Sequence, residues 1–325
     1  MQELIVIPII LFLISLLSVF IVIKRNFKKG IVGKNINANG EPLVAESCGI
    51  ALLIPIWILI IYSILFLNFG IELIVIGITI SVFAFIGFLD DNKNKFFGRA
   101  VGWKIRAMPI AIISLITSII FFFSPTLVGV IWIILLALFV AGLASFSNTF
   151  EGLNGWTVGT SFIISIFASI IAIQINTNSS FLFLGIAGII LGLLIFNKFP
   201  ARAFPGDSGT LLIGSSIAGM ALFTQNIWFV IFVFLLFIPH MVDFFLLKMV
   251  TNRDDATQQR QRPYKLLKNG KLTISDYKGR TKYDFAKLIM KIFGARKEWQ
   301  IVSIIWAIVI LNSLLWTFIF LEFVF

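Results

Sequence analysis

Residues 71–94 read "IELIVIGITISVFAFIGFLDDNKN". A run of about eighteen apolar residues, enough to cross a hydrocarbon layer of ~30 Å, ends here in Asp90 and Asp91. Ionisable side chains at membrane depth are costly, and by default they indicate a functional site. The stretch therefore predicts a membrane helix that ends at a polar, functional site.

Similar apolar runs recur along all 325 residues, of which 59% are hydrophobic and 13% charged. A typical soluble domain has about 25% charged residues, so this composition excludes the soluble globular class. We predict one all-α integral membrane domain, residues 1–325, with ten transmembrane helices. The apolar runs occupy residues 4–23, 48–68, 71–89, 107–123, 127–146, 158–175, 181–197, 209–224, 227–247 and 301–321.

Two further features concern the chain's ends and its redox chemistry. Lys24 and Arg25 follow the first run with no small-residue cleavage site, so we expect a retained helix rather than a removed signal peptide. Cys48 is the only cysteine, which excludes an intrachain disulfide.

The basic residues predict the orientation. All 26 lysines and arginines fall in one alternating set of connections, residues 24–47, 90–106, 147–157, 198–208 and 248–300. The positive-inside rule places these loops in the cytoplasm and both termini outside. The same charge could serve only to attract anionic lipid headgroups, or it could handle an anionic substrate.

Asp90, Asp91 and Asn94 form the first candidate site. On a helix, Asn94 shares a face with either aspartate, while the adjacent aspartates diverge by about 100°. Oxygen ligands beside phosphates suit Mg²⁺, which uses one or two carboxylates and keeps several waters. The alternative is that the two aspartates simply cap a loop.

A second candidate stretch is "FSNTFEGLNGWTVG", residues 146–159, in which Asn148, Glu151 and Asn154 recur every three residues. Its amide side chains could contact a base edge or a metal, and its glycines allow close backbone approach. The alternative is an ordinary loop between two helices.

A third stretch, "NKFPARAFPGDSGTLLIG", covers residues 197–214. Asp207 or Ser208 could cap the helix that begins there, while the helix N-terminus favours phosphate and Phe204 could stack on a base. "GDSG" also occurs in trypsin-like serine proteases. We exclude that class because the only histidine, His240, lies within a predicted span.

The fourth candidate is the long cytoplasmic loop 248–300, which contains Arg260 and Arg262 in "RQRP". "KNGK" predicts a β-hairpin, and apolar residues at helical spacing predict a basic amphipathic helix over 283–299 on the membrane surface. In the ninth span, the spacing of His240 and Asp243 predicts a polar contact between helices rather than catalysis.

Together these stretches resemble the polyprenyl-phosphate N-acetylhexosamine-1-phosphate transferases, glycosyltransferase family 4. "EPLVAESCG" resembles the family's PESxG motif with Glu46 at its glutamate, and "GFLDDNKN" its aspartate-rich motif. "NTFEGLNG" resembles N-x-x-D-G-x-[DN]-G, with Glu151 where many members have Asp, and "ARAFPGDSG" resembles the GD-[ST] motif. The resemblance covers about residues 41–270 and implies ten transmembrane helices, outside termini and a cytoplasmic Mg²⁺-dependent site.

The last cytoplasmic loop indicates the subfamily. Bacterial members carry a histidine cluster there, whereas residues 248–300 contain no histidine. "RQRP" resembles instead the loop of the eukaryotic and archaeal UDP-N-acetylglucosamine–dolichyl-phosphate N-acetylglucosamine-1-phosphate transferases. This implies transfer of N-acetylglucosamine-1-phosphate to dolichyl (polyprenyl) phosphate with release of UMP, starting glycan assembly. The protein would then lie in an archaeal cell membrane or a eukaryotic endoplasmic reticulum membrane.

The resemblance also implies residue roles. Asn148 and Asp207 would hold Mg²⁺, with Mn²⁺ as an alternative, and Asp90, Asp91, Asn94 and Lys104 would be catalytic. Phe204 would stack on uracil and Asn154 would contact its edge. The further substrate-binding residues would be Glu46, Glu151, Arg260 and Arg262.

Two rival functions remain open at this point. One is a bacterial-type transferase of another UDP-sugar to undecaprenyl phosphate. The other is a transporter or flippase, which predicts polar residues at the bilayer midplane rather than at one end of the helices. We expect membrane lipids and no nucleic acid as partners. A homodimer, the polyprenol length and the number of displacement steps are left open.

Overall fold

The computed structural model describes residues 2–92, 103–249, 263–275 and 283–324. Each of the ten predicted apolar runs is helical. The helices are α1 (Gln2–Lys28), α2 (Leu53–Phe66, preceded by the 3₁₀ turn Cys48–Leu52), α3 (Leu73–Asp91), α4 (Trp103–Phe122), α5 (Leu127–Thr149), α6 (Trp156–Ile175), α7 (Thr177–Asn197), α8 (Gly206–Phe223), α9 (Ile227–Leu236), α10 (Ile238–Met241, continued by the π-helix Val242–Lys248), α11 (Phe285–Phe293) and α12 (Glu298–Phe323).

Seven of the described helices are long and apolar enough to cross a membrane, and counting the bent segment 227–248 as one span makes eight. Their outward side chains include many exposed large apolar residues, as expected for contact with lipid tails. α4 is apolar but shorter than a full span over its described side chains, Arg106–Phe122. α8 is not among the helices that are long and apolar enough to cross a membrane. The chain is a polytopic membrane protein, and the count of ten spans stays a prediction.

α8 lies at the centre of the bundle and is buried from Ser208 to Leu222. Small residues let neighbouring backbones come close to it, which is a common way to pack membrane helices. A Cβ on Gly87 of α3 would lie 2.4 Å from the backbone of Asp207, and a Cβ on Gly49 would lie 2.1 Å from Gly209 Cα. These contacts bring the end of α3 against the beginning of α8.

The predicted ninth span is not one straight helix. It bends by 53° between α9 and the segment that begins at Ile238. Pro239 removes one backbone donor at this point, and the following turns adopt π-helix geometry. The bend turns residues 241–248 toward the end of α5.

Two short pairs of strands lie in the connections. β1 (Val32–Lys34) pairs antiparallel with β2 (Leu43–Ala45), which the sequence analysis did not predict. β3 (Tyr264–Leu266) pairs antiparallel with β4 (Leu272–Ile274) in the last loop. The side of the membrane on which they lie stays a prediction.

The helix predicted over 283–299 is shorter than expected. α11 ends at Phe293, and Gly294 follows with a φ of 73° and a ψ of −172°, a backbone conformation open mainly to glycine. Part of its apolar face packs against the protein, since Ile289 and Met290 are buried, whereas Ile292 is exposed. The helix is therefore docked on the protein, and its contact with the membrane surface stays a prediction.

Candidate active site

Asp91, in the last turn of α3, caps the first turn of α8. Its carboxylate accepts hydrogen bonds from the backbone N–H of Asp207 at 2.8 Å, and from the N–H and hydroxyl of Ser208 at 3.2 Å and 2.9 Å. Gly206, with a φ of 67°, leaves room for this carboxylate, because a Cβ there would lie 2.4 Å from Asp91 Oδ2. The alternative that Asp207 or Ser208 caps its own helix does not hold, since another helix supplies the cap.

Asp90 lies on the neighbouring face of α3 and is buried. It contacts the guanidinium of Arg106 in α4, and the same guanidinium lies 3.0 Å from Asp207 Oδ2. A buried carboxylate is costly unless a cation or several donors compensate for it. Arg106 therefore joins α3 and α8 electrostatically, next to the cap made by Asp91.

Two residues of the second motif reach the same place. Asn148, in the last turn of α5, donates from Nδ2 to Thr210 Oγ1 at 3.0 Å, and its side chain also reaches Asp207. Glu151 follows in the loop, and its exposed side chain opens onto a cavity. The protein around this cavity and the charge of Asp91 raise the pKa of Glu151, while Lys248 lowers it.

The cavity beside these residues has a volume of about 530 Å³. Asp91, Asn148 and Glu151 line one part of it. Its remaining wall has polar side chains from the loop between α1 and α2, an amide from the loop after α5 and an aromatic ring. These residues include Lys34, Asn35, Asn37, Glu46, Asn154 and Phe204. Asp90, Asp207 and Arg106 are not part of this lining and lie next to Asp91, on the α3–α8 side. A cavity of this size that joins carboxylates, amides and an aromatic side chain fits a nucleotide-sized anionic ligand.

The loop before α8 shapes this cavity together with β2. Phe204 donates its N–H to Ala45 O at 2.8 Å, and its carbonyl accepts from the Cys48 N–H at 2.9 Å. Ala45 and Ala203 also form a parallel β-bridge. These backbone contacts hold the "EPLVAESCG" and "ARAFPGDSG" stretches side by side, so Glu46 and Phe204 line one cavity.

Comparison with known proteins identifies the family. The family model described as "Glycosyl transferase family 4" matches residues 73–225, which contain the three central motifs. A protein of Sulfolobus acidocaldarius is 31% identical over 94% of this chain and 92% of its own length. The chain belongs to glycosyl transferase family 4.

The relatives carry transferase names of two kinds. The Sulfolobus acidocaldarius protein has the provisional name UDP-N-acetylglucosamine–dolichyl-phosphate N-acetylglucosaminephosphotransferase, as does a Saccharolobus solfataricus protein that is 30% identical over 93% of this chain and 92% of its own length. A phospho-N-acetylmuramoyl-pentapeptide-transferase of Clostridioides difficile is 29% identical over 46% of this chain and 52% of its own length. The predicted family resemblance is confirmed, and the chain is a membrane transferase of this family.

The structure brings together most, but not all, of the site residues expected for a family 4 transferase. Six of them line the cavity, and Asp90 and Asp207 lie next to it. Lys104 lies in the first turn of α4, but its side chain is outside the described part of the chain. The predicted roles of Asn94, Arg260 and Arg262 also fall on residues outside that part.

Sequence reasoning missed Arg106, which the structure places between the carboxylates of Asp90 and Asp207. A signal was present: Arg106 lies one turn inside an apolar helix, where a charge needs a partner.

The last loop packs against the second motif of this family 4 chain. Phe150 contacts Phe285 of α11 edge-on, with ring centroids 5.9 Å apart. Tyr264 of β3 is buried, and a Cβ on Gly152 would lie 3.0 Å from its hydroxyl. Pro263, which follows Arg262 in the chain, lines the cavity. The described part of the last loop thus reaches the site directly.

The predicted polar contact between helices is confirmed for Asp243 but not for His240. Asp243 pairs with Lys248 at 2.7 Å and accepts from the Phe285 N–H at 2.8 Å, so it does connect elements. His240 was wrongly predicted, because its ring packs between aromatic side chains, 3.9 Å from the Phe150 centroid, and neither nitrogen has a described partner. Lys248 also donates to Thr149 O at the end of α5.

The donor set of the family's expected Mg²⁺ can be compared with these residues. Within the described ranges, no three His, Cys, Asp or Glu side chains are grouped to hold a metal ion. Mg²⁺ needs only one or two carboxylates, with waters and substrate phosphates as its other ligands. Asp207 and Asn148 offer oxygen donors at the helix N-terminus, and the guanidinium on Asp90 and Asp207 marks a place where a cation is stabilised. The residues therefore fit such an ion.

Proposed function

We propose that this chain transfers N-acetylglucosamine-1-phosphate from UDP-N-acetylglucosamine to dolichyl (polyprenyl) phosphate and releases UMP. The observation that carries the proposal is the convergence of Asp91, Asn148 and Asp207 at the N-terminus of α8, beside a cavity lined by Phe204 and Asn154. A divalent cation on Asn148 and Asp207 would hold a diphosphate there, and a uridine suits the aromatic and amide groups.

The donor sugar and the acceptor are proposed from two features. The relatives that match nearly the whole chain carry the dolichyl-phosphate name, while bacterial phospho-N-acetylmuramoyl-pentapeptide-transferases match between 46% and 69% of it. The last loop of this chain has arginines and no histidine. Transfer of another UDP-sugar to undecaprenyl phosphate is the second candidate, supported by the bacterial relatives' similarity over the central motifs.

Asp207 and Asn148 would hold Mg²⁺ on the donor diphosphate, where the ion would neutralise charge on the departing UMP. Arg106 would keep Asp207 in place from the other side. Phe204 would stack on uracil. Arg260 and Arg262, which precede the cavity-lining Pro263, would contact the diphosphate or the sugar through bidentate hydrogen bonds.

The acceptor needs little activation. A phosphate monoester has a second pKa of about 6, so it is largely dianionic at neutral pH. Its oxygen would attack the β-phosphorus of UDP-N-acetylglucosamine and form the new P–O bond, while the bond to the UMP oxygen breaks. Asp90 and Asp91 would orient this phosphate or help to hold the metal, and a covalent aspartyl intermediate is unnecessary. Asp91 already accepts three hydrogen bonds, which makes it a poor nucleophile.

The test is direct. Purified protein is incubated with Mg²⁺, a short dolichyl phosphate and a panel of UDP-sugars, and released UMP and lipid-linked sugar are measured. We expect turnover with UDP-N-acetylglucosamine above all other donors. Preference for another donor with undecaprenyl phosphate would favour the second candidate, and no turnover with any pair would overturn both.

A further inference from the structure

The loop that contains Asn154 is held from outside the cavity by the last helix. The carboxylate of Glu298, in the first turn of α12, accepts a hydrogen bond from the Asn154 backbone N–H at 2.7 Å. Two turns later, the indole N–H of Trp306 donates to the Gly155 carbonyl at 3.0 Å. Asn197 of α7 accepts from the Gly155 N–H at 3.0 Å. Two consecutive residues of the loop are therefore fixed by three side chains.

The contacts made by Glu298 and Asn197 are buried and the one made by Trp306 is partly buried, so they are costly to break. Glu298 is 2% exposed, although a carboxylate at the start of a helix would ordinarily face water. Gly159 lies against the Trp306 indole, because a Cβ there would lie 2.3 Å from the ring. Gly155 has a φ of 79°, which glycine adopts without strain. The loop thus has one well-defined conformation, supported mainly by α12.

These contacts position the side chain of Asn154, which lines the cavity. Asn154 is 7% exposed, yet its Nδ2 has no hydrogen-bond partner within the described structure. The second oxygen of Glu298 lies near the amide but not in hydrogen-bond geometry. The Glu298 carboxylate thus lies beside both the backbone N–H and the side-chain amide of Asn154, and it sets how this residue faces the cavity.

We propose that Glu298 and Trp306 are positioning residues that hold the Asn154 amide for the base of the donor nucleotide. The inference rests on the proposed function for the identity of the nucleotide, a uridine diphosphate sugar. It adds that donor affinity depends on a helix that follows all four sequence motifs. Neither residue lines the cavity, so both would act on binding through Asn154 rather than on the transfer step.

The first test is Glu298→Ala, measured with UDP-N-acetylglucosamine turnover and with UMP binding by calorimetry. Losing the acceptor of a buried backbone N–H should raise KM for the donor and Kd for UMP by about tenfold. We expect kcat to fall by less than about threefold, since transition-state contacts remain. Glu298→Gln should stay within about threefold of wild type, because the amide oxygen accepts the same hydrogen bond at roughly half strength.

Matched variants separate positioning from a general loss of structure. Glu322→Ala removes an exposed glutamate of the same helix and should leave KM and UMP affinity unchanged. Trp306→Phe keeps a ring against Gly159 but removes the donor to Gly155, so it should weaken UMP binding as well. Trp316→Phe, on the same helix, is its control. If Glu298→Ala does not fold, UMP binding by Trp306→Phe, compared with Glu298→Gln, still tests the positioning role.

The outcomes distinguish this inference from the proposed function. If wild type binds UMP but forms no lipid-linked sugar, the proposed function fails, while the UMP titrations still test the positioning role. The positioning role is overturned if wild type does not bind UMP. It is also overturned if Glu298→Ala lowers kcat without changing KM or UMP affinity, or if Glu298→Gln is as impaired as Glu298→Ala.

Discussion

The Asp91 carboxylate accepts hydrogen bonds from the backbone N–H and the hydroxyl of Ser208, 117 positions further along the chain. A negative charge at a helix N-terminus is favourable because it meets unpaired N–H groups and the positive end of the helix dipole. The contact joins the aspartate-rich motif to the GD-[ST] motif, so the position of each motif depends on the other.

This capping role predicts a stability effect. Asp91→Ala should lower the free energy of unfolding by about 1–2 kcal/mol, whereas Asp91→Asn should retain most of the cap, because asparagine is an equally good capping residue. Thermal unfolding in detergent measures both. Equal unfolding temperatures for wild type and Asp91→Ala would contradict the capping role. Turnover of Asp91→Asn then reports whether the charge itself is needed.

Asp207 is the residue on which the proposed metal site depends. Asp207→Ala should abolish turnover while the protein remains folded, because the side chain is partly exposed and lies outside the apolar core. EDTA should abolish the activity of wild type, and added Mg²⁺ should restore it. Glu322→Gln serves as the control for removing a carboxylate. Full turnover of Asp207→Ala would exclude the metal assignment.

Arg106 is expected to be as important as the carboxylates it joins. Arg106→Met would leave Asp90 and Asp207 without their shared cation, and repulsion would favour protonation of one of them. We expect at least about a hundredfold loss of kcat/KM, and poor recovery in Arg106→Lys, which keeps the charge but loses the planar fork. Arg25→Met, at an exposed position of α1, is the control. Near-normal activity of Arg106→Met would show that the bridge is dispensable.

The arginines of the last loop test the proposed donor. Arg262→Ala should lower kcat/KM for UDP-N-acetylglucosamine by about one to two orders of magnitude, since a charged hydrogen bond to substrate is worth roughly 1.5–3 kcal/mol. Arg262→Lys should recover little, and Arg253→Ala in the same loop is the comparison. If activity in neutral detergent is unchanged and only the dependence on anionic lipid shifts, for Arg260 as well, these residues are membrane anchors.

Topology can be tested at exposed positions in a Cys48→Ser background. Cysteines at Pro125 and Gln225 should react with an impermeant thiol reagent on intact cells, because both lie in loops without basic residues. Cysteines at Asn39 and Asn269 should react only after permeabilisation. Asn39 lies 3.9 Å from the place a Cβ on Gly270 would occupy, so these two loops share one side. Labelling of Asn269→Cys from outside would reverse the proposed orientation.

The sequence by itself determined where the helices are and which family the chain belongs to. Each apolar run becomes helical because backbone groups in lipid must bond within their own segment, so the signal is local. The four motifs are local as well, since each holds its residues within about ten positions. The resemblance of these motifs to the family implied that Asp91, Asn148 and Phe204 belong to one site.

Tertiary structure alone decided how those residues are held. Asp91 caps α8, Arg106 bridges Asp90 and Asp207, and Glu298 holds a residue 144 positions earlier. A polar group in a low-dielectric interior must find a partner, and the sequence shows that need wherever a charge interrupts an apolar run. Which partner it finds depends on how closely helices approach, here through glycines at 87 and 206, and no periodicity within a single helix contains that information.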